Sequence, residues 1–135
     1  ITYRSDRDMN DLLQIFVADL AFGEDGAITG LRQEYQLTDN EHVNWCPFWH
    51  PDGRHLIYAT SQVGHHNYEL FMMDIENRGE NAPQRVTHAA GFDGLPAFNA
   101  DGTWLIWTSK RETGTSQLWI TRFLMDVDAP AATGK

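Results

Sequence analysis

The sequence has few of the features that would assign it a chemistry. It contains one cysteine, Cys46, so no disulfide can form within the chain. It has no run of about 18 apolar residues, the length that a membrane-spanning helix needs. Lys and Arg number 10 against 19 Asp and Glu, which gives a net charge of −9 and leaves no basic surface for phosphate neutralisation. We therefore expect no nucleic-acid partner and no segment that spans a membrane.

Catalytic signatures are also missing. The sequence has no G-x-S-x-G elbow for a serine nucleophile and no glycine-rich phosphate loop. His65 and His66 are adjacent, and adjacent residues on a strand point to opposite faces, so they make a poor metal chelate. The remaining histidines are dispersed along the chain. These absences predict that the chain is not an enzyme and binds no metal and no cofactor.

What the sequence does contain is a passage that occurs twice. Residues 47–60 read PFWHPDGRHLIYAT and residues 96–109 read PAFNADGTWLIWTS, so matched positions lie 49 residues apart. A period of about 40–50 residues is typical of propellers and solenoids, in which each repeat is one supersecondary unit. Asp-Gly between apolar runs predicts a tight hairpin, with positive φ at Gly53 and Gly102.

Further segments repeat around this passage. They are short and rich in β-branched and aromatic residues, as strands are. In chain order within a unit they are ITYRSDR, LIYATSQ and LIWTSKR (1–7, 56–62 and 105–111), then QIFVADL, ELFMMDI and QLWITRF (14–20, 69–75 and 117–123), then YQLT and QRVT (35–38 and 84–87). Each unit therefore reads as four short strands, of which the first carries Pro47 or Pro96.

The pattern P-x-[FW]-x-[PA]-D-G-x-x-[LI]-I-[YW]-x-[TS], followed by [EQ]-L-[FW], resembles the repeat of TolB-like β-propellers, relatives of the WD-type propellers. The resemblance covers nearly the whole chain. Where the family usually has Ser-Pro-Asp-Gly, this chain has HPDG (50–53) and NADG (99–102). The resemblance implies a bacterial periplasmic or extracellular protein that binds protein partners within a larger complex.

The predicted fold is all-β: a partial β-propeller of about two to three four-stranded antiparallel blades. We divide the chain into a partial first blade with an acidic loop (1–45), a complete blade (46–94) and a last blade with a C-terminal tail (95–135). The opening ITYRSDR is a second strand without a first, and the family forms closed rings of more blades. We therefore expect that the chain is part of a larger protein, and that the other blades come from that protein, a second copy or another subunit.

One column of polar residues suggests a binding site at a mouth of the central channel. Asn44 and Asp93 occupy equivalent positions just before the first strands, and His42 and His88 precede the same strands. Such groups would hold a cationic group of a partner or a hydrated cation. The alternative is that Asn44 and Asp93 cap the turns by side-chain to backbone hydrogen bonds.

Aromatic residues suggest interfaces. Trp45 and Trp104 lie outside the apolar positions that recur from one unit to the next. They are predicted to be exposed residues that anchor a partner at an interface. The two ends of the chain are predicted to need cover from other polypeptide, because they lack a neighbouring blade. The residues concerned are Tyr3, Ile15 and Phe16 at one end, and Trp107, Leu118 and Trp119 at the other.

The function that this sequence favours is a non-enzymatic propeller segment, serving as a protein-interaction or structural subunit of an extracytoplasmic assembly. Short loops on a stiff scaffold present a preformed surface that suits a protein partner. The alternative is the propeller part of a larger enzyme, a serine peptidase or polysaccharide lyase, whose active site lies mostly outside this chain.

Overall fold

Strands form at the repeated segments, but the strand at YQLT begins earlier than the repeat predicts, at Ile28. The computed structural model describes residues 1–77 and 82–125. Its ten strands are β1 (Thr2–Ser5), β2 (Gln14–Phe22), β3 (Ile28–Gln36), β4 (Asn44–Trp49), β5 (His55–Thr60), β6 (Glu69–Asp74), β7 (Gln84–Arg85), β8 (Asp93–Phe98), β9 (Trp104–Ser109) and β10 (Gln117–Arg122). In this part of the chain there is no helix long and apolar enough to cross a membrane.

The strands form three antiparallel sheets in which each strand pairs with the next one along the chain. Blade 1 has the order β1-β2-β3, blade 2 has β4-β5-β6-β7, and blade 3 has β8-β9-β10. This confirms the all-β partial propeller. Among the described residues, blade 1 begins with the second strand of the repeat and blade 3 ends with the third. From residue 126 the predicted C-terminal tail lies outside the described residues.

The two Asp-Gly turns have the predicted geometry. Gly53 and Gly102 have φ of 74° and 75°, so the positive-φ prediction is confirmed. In both turns the aspartate side chain accepts a hydrogen bond from the backbone N–H two residues later. The Oδ1 of Asp52 accepts the backbone N–H of Arg54 at 2.9 Å, and the Oδ1 of Asp101 accepts that of Thr103 at 2.9 Å. The aspartate thus satisfies a turn donor that has no strand partner.

The first strands of blades 2 and 3 share a bulge. Pairing shifts between Trp45 and Phe48 in one and between Gly94 and Ala97 in the other. Proline has no N–H to donate to a ladder, so within a sheet it favours edges and bulges. The residues before the two prolines, Cys46 and Leu95, have positive φ of 50° and 55°. The repeat therefore preserves an unusual backbone conformation as well as a strand pattern.

The core lies in two layers between neighbouring blades. The layer between blades 1 and 2 contains Ile15, Val17, Leu56, Tyr58, Phe71 and Met73. The layer between blades 2 and 3 contains Ile57, Ala59, Leu70, Met72, Phe98, Leu105 and Trp107. Alternate residues of β5 and β6 enter opposite layers, as the period of a strand requires. Both faces of blade 2 are therefore buried, which explains its nearly continuous apolar strands.

A repeated backbone hydrogen bond joins the blades. The N–H of Asn44, the first residue of β4, donates to the carbonyl of Leu13 at 2.8 Å. The N–H of Asp93, the first residue of β8, donates to the carbonyl of Tyr68 at 2.8 Å. Leu13 directly precedes β2 of blade 1, and Tyr68 directly precedes β6 of blade 2. The Asn44 and Asp93 side chains are thereby fixed at the two inter-blade junctions.

Candidate functional site

At the junction of blades 1 and 2 the polar side chains are uncharged amides. The Nδ2 of Asn44 lies 3.0 Å from the Oε1 of Gln14, 2.9 Å from the Oδ1 of Asn40 and 3.0 Å from the carbonyl of His42. The Nε2 of Gln14 donates to the carbonyls of Asn40 and His42, at 2.9 and 3.2 Å. Asn44 and Gln14 are both buried. Together they hold the loop that leads into β4.

At the junction of blades 2 and 3 the equivalent positions carry carboxylates. Glu69 corresponds to Gln14 and Asp93 to Asn44, and both are buried. The Nη2 of Arg85 donates to Glu69 Oε1 at 2.7 Å, and the Nη2 of Arg111 donates to Asp93 Oδ2 at 2.6 Å. The other carboxylate oxygen of Glu69, Oε2, is buried and has no hydrogen-bond partner. Sequence reasoning missed this Glu69–Arg85 pair, although a glutamate within the apolar run ELFMMD was a visible signal.

Arg111 also covers two aromatic rings. Its guanidinium carbon lies 5.0 Å from the ring centroid of Trp107 and 5.1 Å from that of Trp119, within the range of a cation–π contact. Its Nε donates to the hydroxyl of Ser109 at 2.8 Å. One arginine therefore neutralises a buried aspartate and packs on the aromatic column of blade 3.

The structure buries two of the four predicted channel-mouth residues, Asn44 and Asp93. Asn44 and Asp93 are buried and engaged at the two junctions, and the Asn44 contacts to the Leu13 and His42 carbonyls are of the capping kind. His42 is half-buried, whereas His88 is exposed and lines a groove of about 420 Å³ beside Trp107 and Arg111. Within residues 1–77 and 82–125, no group of three or more His, Cys, Asp or Glu is placed to hold a metal ion.

The two predicted tryptophan anchors differ in exposure. Trp104 is 40% exposed. Trp45 is not an exposed anchor: it is half-buried, and its indole N–H is inaccessible. Its ring packs on Tyr68 and Phe92, with centroids 6.1 and 5.8 Å away, and the Arg4 guanidinium lies 5.3 Å from it. These neighbours come from all three blades. Trp45 therefore belongs to the packed interior between the blades of this chain.

Cys46 is half-buried beside this ring, and the structure gives it no reactive environment. Burial raises the pKa of the Cys46 thiol to about 11, so very little thiolate exists at neutral pH. Its position corresponds to that of Leu95, the other bulged residue with positive φ. Cys46 is therefore a structural residue of the bulge.

Blade 1 covers its own outward face, which we call the N-side face and define by Tyr3, Arg7, Phe16 and Glu34. Phe16 is buried, because the Tyr3 ring stacks on it and the Arg7 guanidinium carbon lies 3.8 Å from its centroid. Glu34 accepts hydrogen bonds from both Tyr3 and Arg7. The prediction that Phe16 and Ile15 need cover from another chain is therefore wrong: Ile15 faces blade 2, and a polar lid shields Phe16.

Within residues 1–77 and 82–125, the outward face of blade 3 is exposed. We define this C-side face by Trp104, Ile106, Leu118 and Ile120. Leu118 is 74% exposed and Ile120 is 63% exposed. The prediction of exposed aromatic residues here needs a correction, because Trp107 and Trp119 lie on the opposite side of the sheet and pack towards blade 2. An alignment of the repeats finds the positions that are equivalent in each unit. It does not say which neighbouring blade the side chains at those positions face.

Comparisons with known proteins agree on the fold. No sequence-family model matches the chain. An uncharacterized protein of Agrobacterium fabrum is 34% identical over 76 residues, which are 55% of this chain and 23% of that protein. TolB from Acinetobacter baumannii superposes with a TM-score of 0.60 at 24% identity, covering 90% of this chain and 26% of that one. The chain has the TolB β-propeller fold.

A second TolB-like structure supports the same fold. A protein assigned as TolB from Agrobacterium tumefaciens superposes with a TM-score of 0.64 at 24% identity, covering 90% of this chain and 38% of that one. The chain thus spans less than two fifths of the length of each of these proteins. At this identity the likeness establishes the TolB-like fold, and activities and partners have to be argued from the residues themselves.

Proposed function

We propose that this chain is a non-enzymatic propeller segment, and that it serves as a protein-interaction or structural part of an extracytoplasmic assembly. The observation that carries the proposal is the bare C-side face of blade 3. Two of its apolar side chains lie opposite each other on neighbouring strands, since Ile120 pairs with Ile106, and the Arg122 guanidinium lies 5.7 Å from the centroid of the Trp104 ring. A contiguous exposed apolar surface of this kind marks an interaction site in a folded protein.

The other two blades show what covers such a face. Leu118 and Ile120 occupy the positions of Leu70 and Met72 in blade 2, and both of those residues are buried beneath blade 3. Ile15 and Val17 hold the same positions in blade 1 and are buried beneath blade 2. The C-side face therefore has the composition of an inter-blade surface, and polypeptide is the partner that fits it.

The proposed location rests on the fold and on the sequence resemblance together. The TolB-like repeat pattern and the TolB-like fold both favour a bacterial periplasmic or extracellular address. The partner on the C-side face is either another part of the same protein or a separate subunit, and both make the chain a component of a larger complex.

Site-specific photo-crosslinking tests the proposal. A benzophenone amino acid at Trp104, in the full protein made in its own cells, should form a covalent adduct with polypeptide outside residues 1–135. Intact mass and peptide mapping would identify that polypeptide. The matched control is the same group at Glu24, which is exposed on the β2–β3 turn away from this face. Equal crosslinking at Trp104 and Glu24 would remove the basis for the proposal.

The non-enzymatic part has its own test. The purified chain should not hydrolyse peptide, ester or uronate substrates above the rate of a heat-denatured sample. Turnover that a single histidine or serine substitution abolishes would contradict it, and would favour the propeller part of an enzyme instead.

A further inference from the structure

One face of blade 2 carries three buried side chains with oxygen atoms, side by side at one end of the sheet. Asn44 of β4 lies opposite Thr60 of β5, and Thr60 lies opposite Glu69 of β6. Residues opposite each other in antiparallel strands present their side chains to the same face, with Cβ atoms about 4.5–5.5 Å apart. All three are 0% exposed. We call them the oxygen row of blade 2.

Two oxygens of this row accept no hydrogen bond from the described residues. They are Asn44 Oδ1 and Glu69 Oε2, and both are buried. The Nδ2 of Asn44 donates to Gln14 of blade 1 at 3.0 Å, so Oδ1 is turned the other way, towards Thr60. Oε1 of Glu69 pairs with Arg85 on the outer strand β7 at 2.7 Å, which leaves Oε2 on the side of Thr60. Buried polar atoms in native proteins nearly always have a partner, so the row calls for one.

Blade 3 shows which kind of group fills such a row. Its equivalent residues are Asp93, Ser109 and Gln117, which lie opposite one another in the same way. The guanidinium of Arg111 binds two of them, with Nη2 2.6 Å from Asp93 Oδ2 and Nε 2.8 Å from Ser109 Oγ. A positive charge from the chain itself therefore occupies the row of blade 3.

Blade 2 has Gln62 at the position of Arg111. The backbone is the same at this point, because the N–H of Gln62 donates to Thr60 Oγ1 at 3.3 Å, as that of Arg111 donates to Ser109 Oγ at 3.1 Å. The Gln62 side chain is neutral and exposed, whereas Arg111 is half-buried. Blade 2 thus keeps the oxygens of the row and has no arginine at the position that supplies the cation in blade 3.

We propose that the oxygen row of blade 2 binds a small monovalent cation such as sodium. The ion takes the place that the guanidinium has in blade 3. Asn44 Oδ1 and Glu69 Oε2 are its ligands from the two sides, and the Thr60 hydroxyl lies between them. The three Cβ atoms span about 9–11 Å, and the longer side chains at the two ends reach inwards, which leaves room for one ion.

The charge of the row favours a monovalent ion over a divalent one. Glu69 already shares its charge with Arg85, and the other two ligands are neutral. Calcium takes about six to eight oxygen ligands, commonly with several carboxylates, and magnesium gives up its water reluctantly. Glu69 and Thr60 were not among the residues that the sequence suggested for a cation, and the sequence predicted no metal at all. The site is also independent of the C-side face.

The test is a sodium chloride titration of the 135-residue chain followed by amide NMR. N-methyl-D-glucamine chloride replaces sodium chloride to keep the ionic strength constant, because its cation is too large for the row. The amide signals of Thr60 and Glu69 should shift and saturate with sodium, whereas those of Ser109 and Asp93 should not. Urea denaturation gives a second reading. At a sodium concentration ten times the dissociation constant found by NMR, the ratio of folded to unfolded chain should rise about elevenfold.

Three variants assign the site. Gln62→Arg supplies the guanidinium that blade 3 has, so it should abolish the sodium response and leave the circular dichroism unchanged. Gln33→Arg adds the same charge at an exposed position of β3 and should bind sodium within about twofold of the original chain. Glu69→Gln removes the charged ligand and should weaken sodium binding about tenfold or more.

Four results would overturn the inference. They are no saturable shift at Thr60 and Glu69, equal shifts with N-methyl-D-glucamine, a sodium response that persists in Gln62→Arg, and a response lost equally in Gln33→Arg. If Gln62→Arg or Glu69→Gln does not fold, the titration of the original chain and the agreement between its NMR and urea readings decide the matter. Crosslinking from Trp104 tests the interaction function separately, so either proposal can fail without the other.

Discussion

The two junctions between the blades have the same backbone frame and different side-chain chemistry. In both, the first residue of a blade donates its N–H to a carbonyl of the preceding blade at 2.8 Å. Between blades 1 and 2 the side chains at this point are Gln14 and Asn44, which hydrogen-bond to each other and to nearby carbonyls. Between blades 2 and 3 they are Glu69 and Asp93, which rely on two arginines.

This difference shows how one repeat supports both neutral and ionic junctions. A buried amide needs hydrogen-bond partners, and the adjacent loop supplies them to the amide nitrogens of Gln14 and Asn44, whereas the Asn44 Oδ1 has none among the described residues. A buried carboxylate also needs a compensating charge, since an uncompensated charge in a dry site costs several kcal/mol. The junction of blades 2 and 3 should therefore depend on single arginines, whereas the junction of blades 1 and 2 depends on several smaller contacts.

The largest expected effect comes from Arg111→Met, which leaves Asp93 buried without its cation. We expect it to lower the free energy of unfolding by about 3–5 kcal/mol, measured by urea denaturation with tryptophan fluorescence. Asn44→Ala at the neutral junction should cost less, about 1–3 kcal/mol. Adding Asp93→Asn to Arg111→Met should recover at least half of the loss. An equal cost for Arg111→Met and Asn44→Ala would contradict the distinction between the junctions.

The next effect compares a buried junction with the bare face. Leu70 and Leu118 are equivalent positions, but one is buried beneath blade 3 and the other is exposed. Leu70→Ala should cost about 2–5 kcal/mol, as truncations in a packed core do. Leu118→Ala should change the free energy of unfolding by less than about 0.5 kcal/mol in the isolated chain. If denaturation gives similar costs for both, another surface covers Leu118 under those conditions.

The two turn glycines give a third comparison, because only one of them lies at a junction. A Cβ added at Gly53 would meet nothing within 4 Å, whereas one at Gly102 would lie 2.3 Å from the Nε2 of His50. The His50 ring cannot easily move away, since it packs edge-on against Phe98 at 4.8 Å. Gly53→Ala should cost about 1 kcal/mol for its positive φ, and Gly102→Ala about 1–3 kcal/mol more for overpacking.

A double-mutant cycle sharpens the comparison of the glycines. His50→Ala should relieve the extra cost of Gly102→Ala and leave the cost of Gly53→Ala unchanged. Additive effects of His50→Ala and Gly102→Ala would show that the contact between the two turns carries no strain.

The smallest effect concerns acid and two carboxylates that are paired with arginines, Glu34 on the N-side face and Asp74 in blade 2. Hydrogen bonds from Arg7 and then Tyr3 lower the pKa of Glu34 to about 2, from an ordinary value of 4.5. Hydrogen bonding from Arg54 similarly holds the pKa of Asp74 below its usual range. Since the pKa of each is lower in the folded state, each contributes stability above its unfolded pKa. That contribution is lost as the pH falls through the folded value.

We therefore expect the free energy of unfolding to decline from about pH 4.5 towards pH 2. Glu34→Gln should make that decline slightly shallower, because exposed ion pairs contribute little and are screened by salt. The measurement is chemical denaturation at a series of pH values, with Glu24→Gln as the control on an exposed turn. An unchanged slope in Glu34→Gln would mean that the lid over Phe16 does not depend on its charge.

The sequence was sufficient for the fold because the repeat aligns with itself. The repeated segments place the Asp-Gly turns and most of the strands, and these depend on local chemistry. It was not sufficient for the site, because burial at a junction depends on which blade a column faces. Trp119 illustrates this. The repeat shows that it is equivalent to Phe16 and Phe71, but it does not show that the Trp119 side chain packs towards blade 2. The lid over Phe16 was also missed, because Glu34 lies 27 residues after Arg7 and belongs to no repeated motif.

The strand order within each blade also affects how the chain folds. Because every strand pairs with its neighbour in sequence, the pairing within a sheet closes only short loops, and local contacts favour fast folding. As the chain leaves the ribosome, β1–β3 can pair before β4 has been made, and each later sheet can then pack on a finished one. A mispaired strand in blade 2 would disturb both core layers, so a translation pause between blades should be tolerated better than one within a blade.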